Sequence, residues 1–237
     1  MSAPSYLGCT DTTILGWLQD ALLEPNDGGQ TLATNQFTVQ QLVNAVQQGS
    51  LDFQRDTGIV SCHAGFQGDS SSAIGVTPGT EQVQLPQDTM DVRRLAWIAY
   101  DVQNPVQVVS ITELPRQDSF ALDLLNPAWE NTLGQPYTAD ESLPPIPAVN
   151  ISNQPSDIGS LDVLYTPVPT ALSNTGVPLS FPPDCAVGVF YRALQLLFSL
   201  QGEGSDDARA RWAGTMYGLV VQLTKSLQYM TNLVPVQ

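Results

Sequence analysis

The sequence predicts an α+β protein: a helical core or bundle contributed by both chain ends, with an antiparallel β-rich region inserted between them. Three observations carry that expectation. Apolar residues recur at steps of three and four near the start of the chain and again over its last quarter. Between about residues 59 and 166 the texture changes to short alternating runs broken by Pro, Gly and Ser. Charge divides the same way, because residues 184–230 hold four acids and four bases and leave almost all of the net charge of −15 to the rest. The expected organisation is residues 1–58 as N-terminal helices of the core, 59–170 as the β-rich insert with long loops, and 171–237 as a C-terminal helical hairpin with a tail extension.

Residues 12–24 read as a helix, with Ile14, Trp17, Leu18, Ala21 and Leu22 at helical spacing and Asp11, Thr12 or Thr13 available as caps. Pro25 with Gly28 and Gly29 then predicts a loop over residues 25–35. A second helix starts at about Thr38. Thr38 and Gln41 have capping-box spacing, Phe37 stands at the staple position, and Val39, Leu42, Val43, Val46 and Phe53 supply the stripe, with Gly49 as a weak point.

Strands are expected at residues 59–66, 82–85, 92–100, 106–112, 148–152 and 161–165, the 92–100 and 106–112 runs forming an antiparallel pair across a turn at Gln103, Asn104 and Pro105. The Gly- and Ser-rich residues 65–80 read as a mobile loop, and the proline-studded residues 136–155 as no single regular element. Residues 119–125 suit a short helix packing Phe120, Leu124 and Leu125, stopped by Pro127. Pro182 and Pro183 introduce a helix with Asp184 at its positive end and Val187, Phe190, Leu194, Leu197 and Leu200 along one side. Residues 206–230 form the last helix, with Trp212, Met216, Leu219, Leu223, Leu227 and Met230 at steps of three or four. The two should make an antiparallel hairpin through residues 201–205.

At 237 residues and 42% hydrophobic content the chain can bury a core without disulfides, and three scattered cysteines make neither a disulfide framework nor a Cys-rich metal site. Twenty-three acids against eight Lys and Arg leave no clustered cations for gripping phosphates. Only 13% of residues are charged, which suits a subunit whose surface neighbours cover without desolvating ions, and equally a secreted or halotolerant protein. Residues 1–20 carry no base and include Asp11 and Asp20, unlike a signal peptide, and the apolar runs are too short to span a bilayer; no membrane association is expected.

The residues able to carry chemistry do not assemble into a site. His63 is the single histidine, and on a strand Cys62 beside it faces the opposite way. Cys9 and Cys185 lie near helix starts, where a low-pKa thiolate is one option and a buried thiol the other. Asp88 with Asp91, or Asp140 with Glu141, has no cleft to define a catalytic separation. Gly65, Gly68 and the serines 70–72 match neither a phosphate-binding loop nor a nucleophile elbow. Trp97, Trp129 and Trp212 could form a carbohydrate platform, but Trp97 and Trp212 sit on core or interface spacing. No enzyme activity, cofactor or metal is expected.

One order of features resembles a known family. LVNAVQQGSLDFQRDTGIV closing the N-terminal helices, EQVQLPQDTMDVRRLAWIAY, the strand LDVLYTPVPTAL, and a Pro-Pro-Asp entry to a helical hairpin with a Gly-Glu-Gly bend resemble the head-to-tail connector, or portal adaptor, proteins of tailed bacteriophages over residues 38–225. The long loops at residues 65–80 and 125–155 depart from the compact forms. The resemblance implies a structural virion protein of the neck, assembled in the host cytoplasm. It implies a homo-oligomeric ring of 12 copies beneath the portal protein, extending the channel through which genome DNA passes and giving the tail or a second neck protein its docking surface. Terminal helices and the tail at residues 230–237 would then meet the portal, and candidate assembly contacts are Arg93, Arg94, Arg209, Arg211, Trp212, Met230, Leu233 and Val234. Two alternatives stand beside it: a phage tail, baseplate or stopper protein, and an acidic hydrolase or carbohydrate-binding module.

Overall fold

The computed structural model describes residues 9–22, 37–64, 74–101, 107–125, 127–128, 131–142, 147–173, 176–200 and 206–233. They fall into two compact units, Met1–Val60 together with Val168–Gln237, and Ser61–Pro167. No described helix is long and apolar enough to cross a membrane.

The first unit contains α1 (Asp11–Leu22), α2 (Val39–Thr57), α4 (Ala186–Ser199) and α5 (Asp207–Leu233); α3 (Ser119–Leu125) belongs to the other unit. Helix α2 begins as its sequence dictates. Thr38 Oγ1 accepts from Gln41 N at 3.2 Å while Thr38 N donates to Gln41 Oε1 at 2.7 Å, satisfying two N-terminal donors reciprocally. Phe37 and Leu42 lie buried in the same cluster, whereas Val39 is exposed. Helix α2 continues through Gly49, which lets it meet α4, since a Cβ there would stand 3.0 Å from Val189 O and 3.3 Å from Ala193 N.

Gly188 does the same from the α4 side: a Cβ would overlap the ring of Phe53, 2.7 Å from its Cδ2. Phe53 is fully buried and meets Phe181 edge-on at 5.6 Å. A short 3-10 turn, Pro183–Cys185, leads into α4, with Asp184 in its first turn as expected. The buried side of α4 is Ala186, Val189, Ala193, Leu194 and Leu197; Val187 and Leu200, expected inside, are exposed. Helices α4 and α5 run antiparallel. Asp206 N donates to Phe198 O, Arg209 stacks over Phe198, and further along Arg192 stacks over Tyr217. Their connecting residues, 201–205, lie outside the described residues, as does the loop expected at 25–35.

Polar groups lock this bundle. Arg192 Nε donates to Asp52 Oδ2 at 2.7 Å, Gln48 donates to the same carboxylate at 2.9 Å, and Tyr217 donates to Asp56 at 2.5 Å. Burial and the Asp56 carboxylate push the Tyr217 phenol well above its usual range. The buried Asp11 carboxylate accepts from Ser173 N at 3.2 Å and Gly176 N at 3.0 Å, tying the start of α1 to the segment that follows the insert.

The second unit is built on a five-stranded sheet. Strand β10 (Gly159–Pro167) lies inside, antiparallel to β4 (Thr89–Tyr100), which pairs on with β5 (Val108–Glu113); β1 (Cys62–Ala64) and β2 (Ile74–Val76) also pair with β10. A three-stranded sheet sets β8 (Ala148–Ser152) between β3 (Gln82–Gln84) and β7 (Thr138–Ser142), and β6 (Leu133–Gly134) pairs parallel with β9 (Gln154–Pro155). Leu95, Trp97, Leu161, Val163 and Tyr165 from the larger sheet share one buried cluster with Val83, Ala139, Val149 and Ile151 from the smaller.

Several expectations are corrected here. Strand β2 lies within the residues read as a loop; β7 is a strand not expected within the proline-studded stretch, whose reading as no single regular element it leaves intact. Both are short, and partners far along the chain stabilise them: Val76 opposes Gly159, and Glu141 opposes Val149. Helix α3 forms where expected but packs its other side, with Leu122 buried and Phe120 and Leu124 about 70% exposed. Residues 65–73 and the turn at Gln103, Asn104 and Pro105 lie outside the described residues.

The crossing of α2 on α4 yields a stability prediction. Gly188→Ala places a methyl group against Phe53 and should cost about 1–3 kcal/mol, less up to about 1 kcal/mol regained from alanine's helix preference. A lowered urea midpoint with an unchanged slope is the expected readout. Shortening the obstruction in Gly188→Ala/Phe53→Leu should recover part of the overpacking loss.

Candidate functional site

The expected assembly residues occupy different places. Arg93 and Arg94 straddle a register shift in the pairing of β4 with β10, so that both reach the face of β10 away from the core: Arg93 Nε donates to Thr166 Oγ1 at 3.0 Å, and Arg94 Nη2 reaches Asp162 Oδ2 at 3.2 Å. Asp162 is buried and also has His63 Nδ1 at 3.5 Å, so the single histidine flanks a carboxylate held by arginine. Arg209, Arg211 and Trp212 gather at the start of α5. Arg209 reaches Asp206 Oδ2 at 3.4 Å, Arg211 Nε donates to Asp207 O at 3.1 Å, and Trp212 meets Tyr191 edge-on at 5.6 Å while remaining 52% exposed. Helix α5 continues to Leu233, three residues beyond the expected end; Met230 and Leu233 are on its backbone, and their side chains, with Val234, lie outside what is described.

The apolar stripe of α5 is not the buried one. Toward the bundle the helix presents Ala210, Ala213, Tyr217 and Thr224, helped by Val220 and Val221. Trp212, Leu219, Leu223 and Leu227 are all more than half exposed. At 100° per residue, Trp212, Leu219 and Leu223 fall within about 20° of a common line along the helix. Small residues win the inner face because α4 lies close against it. The large ones are left as a second seam that periodicity alone assigns to the core. From residue 208 onward the chain also contains Arg209, Arg211 and Lys225 and no acid, so the seam lies on a cationic helix in an otherwise acidic protein.

The groups with chemical potential are dispersed. Asp88 accepts from the Tyr165 hydroxyl at 3.2 Å, while Asp91 pairs with Arg116 at 3.7 Å. Among the described residues no three His, Cys, Asp or Glu side chains converge as a metal site. A recess of about 240 Å³ beside Trp97, Tyr100 and Ser110 contains one carboxylate, Asp157, rather than a pair. Trp97 is packed away at 2% exposure and cannot contribute to a carbohydrate platform, and Trp129 lies outside the described residues.

The cysteines correct the low-pKa option. Cys9 and Cys185 are free and buried, and burial raises both thiols, Cys185 to about 11 with help from Asp184. Against an ordinary thiol at 9.0, native Cys185 at pH 8 should alkylate about 100-fold more slowly, and unfolding should restore the ordinary rate. The fold favours the protonated thiol, so this group's share of stability is intact below pH 9.0 and declines as pH rises through about 11. Iodoacetamide labelling followed by mass mapping, with and without urea, checks the rate.

Residues 7–234 match the family model described as SU10 adaptor protein. No curated protein matches the chain at a significant level. The match spans both helical segments and the whole β unit, and with it the exposed seam acquires a reading as a feature of a structural subunit. The chain belongs to the SU10 adaptor protein family and is a head-to-tail connector of the tailed-phage neck.

Proposed function

We propose that twelve copies close into a ring against the portal protein, with the α5 seam as its principal assembly surface and the tail or a second neck protein docking on the ring. The observation that carries this is the run Trp212, Leu219, Leu223 and Leu227, exposed along a helix that has no acid after Asp207. An apolar line of this length flanked by cations suits a helical neighbour with carboxylates at its rim. Arg209 and Arg211 would take those carboxylates, and Met230, Leu233 and Val234 would continue the contact into the portal. Arg93 and Arg94 serve as rim contacts on the β unit.

The ring would be assembled in the host cytoplasm before tail attachment. Its two structural units divide the work, the helical one for assembly and the β-rich one for docking and the channel. The acids supply the channel property. Residues 61–167 contain 13 acids and three arginines, and a lumen lined by that surface repels phosphates, so DNA passes without adhering.

Leu219→Glu/Leu223→Glu tests the seam, since both positions are exposed and the monomer should melt within the small range of surface substitutions. Native mass measurement with purified portal is expected to show complete loss of the portal-bound ring, and virions carrying the variant should lack tails. Normal rings from this variant would overturn the assignment of the seam. Cryo-electron microscopy of the neck reads the copy number and the charge of the lumen.

A further inference from the structure

Strand β5 is an open sheet edge. It pairs with β4, and among the described residues no strand takes its other side. The register identifies the unused backbone groups. Leu114 N donates to Leu95 O at 2.9 Å, which makes those opposed residues a hydrogen-bonded pair. Alternation along an antiparallel ladder then turns the N–H and C=O of Thr112 and Ser110 toward β4, and those of Glu113 and Ile111 outward.

The side chains add to the opportunity. Ile111 is 59% exposed and Val109 65% exposed, leaving apolar surface beside the free backbone groups. Natural edges are commonly blunted by lysine, proline or a bulge. Strand β5 has no lysine or proline, and its bulge, where the register steps from Ser110 to Val108, bends only the N-terminal end.

Charge selects the occupant. Glu113 ends the strand, and Asp118 and Asp123 follow it exposed. The three arginines of the unit already have partners, Arg93 with Thr166, Arg94 with Asp162 and Arg116 with Asp91. A second copy of this chain fits poorly: two β5 edges paired antiparallel make a two-fold contact that closes at a dimer, and they bring like charges together. We propose that β5 receives an extended, lysine- or arginine-bearing segment of another protein, added to the sheet as a further strand. The outward groups of Ile111 and Glu113 supply main-chain hydrogen bonds, Ile111 and Val109 cover alternate apolar side chains, and Glu113 meets a cation. This surface is separate from the α5 seam, so its failure would leave the connector reading untouched.

The test uses the full chain and two capped octapeptides, one alternating valine with lysine and one alternating valine with glutamate. Amide hydrogen exchange read by NMR is expected to show the lysine peptide slowing exchange at Ile111 and Glu113 at least tenfold at saturation, with the glutamate peptide producing no change. Ile111→Pro removes an outward N–H without removing a donor to β4, and should weaken lysine-peptide binding at least tenfold. Ile111→Lys, which keeps the backbone donor and repels the peptide, should also weaken it and covers the case in which the proline variant misfolds. Absence of protection at these two amides, equal binding of the glutamate peptide, or concentration-dependent protection by the chain itself would each overturn the proposal.

Discussion

The helical unit depends on how closely α2 can lie against α4. Gly49 and Gly188 remove the side chains that would hold the helices apart, and the space is filled by the ring of Phe53 and the backbone of α4. That closeness places Asp52 within 2.7 Å of Arg192 and, through α5, brings Tyr217 to Asp56. A carboxylate buried this way is tolerated because its partners are supplied from a neighbouring helix in a fixed register. Widening the crossing would leave a charge with fewer partners as well as a cavity.

The same geometry decides what α5 shows to its surroundings. With Ala210 and Ala213 turned inward the helix packs tightly, and its large side chains have nowhere to go but outward. A subunit that functions alone has little use for such a seam; a connector, whose surfaces are completed by neighbours, does. Low total charge acts in the same direction, since a polar surface with few ions loses little when another protein covers it. The acids are concentrated instead in the β-rich unit, where 13 stand against three arginines.

Much of the fold is legible because local signals suffice for it. The Thr38 capping box, the Pro-Pro entry to α4, the apolar run of β4 and the antiparallel hairpin of α4 and α5 each rest on residues close together in the chain. The α+β class follows from periodicity and composition. Family resemblance adds the connector role, and the match over residues 7–234 agrees with it.

Long-range contacts set which side of each element faces inward and which strands pair. Periodicity marks an apolar stripe but not its direction, so Leu219 and Leu223 on α5, Val187 on α4 and Phe120 on α3 all read as core and stand exposed. Strands β2 and β7 are too short to declare themselves and owe their form to β10 and β8. The open edge of β5 is likewise a property of the sheet rather than of the residues 108–113 taken alone. The sequence determined the helices, the main strands and the charge. Direction and pairing waited on contacts between residues far apart in the chain, because burial is a property of the neighbour as much as of the side chain.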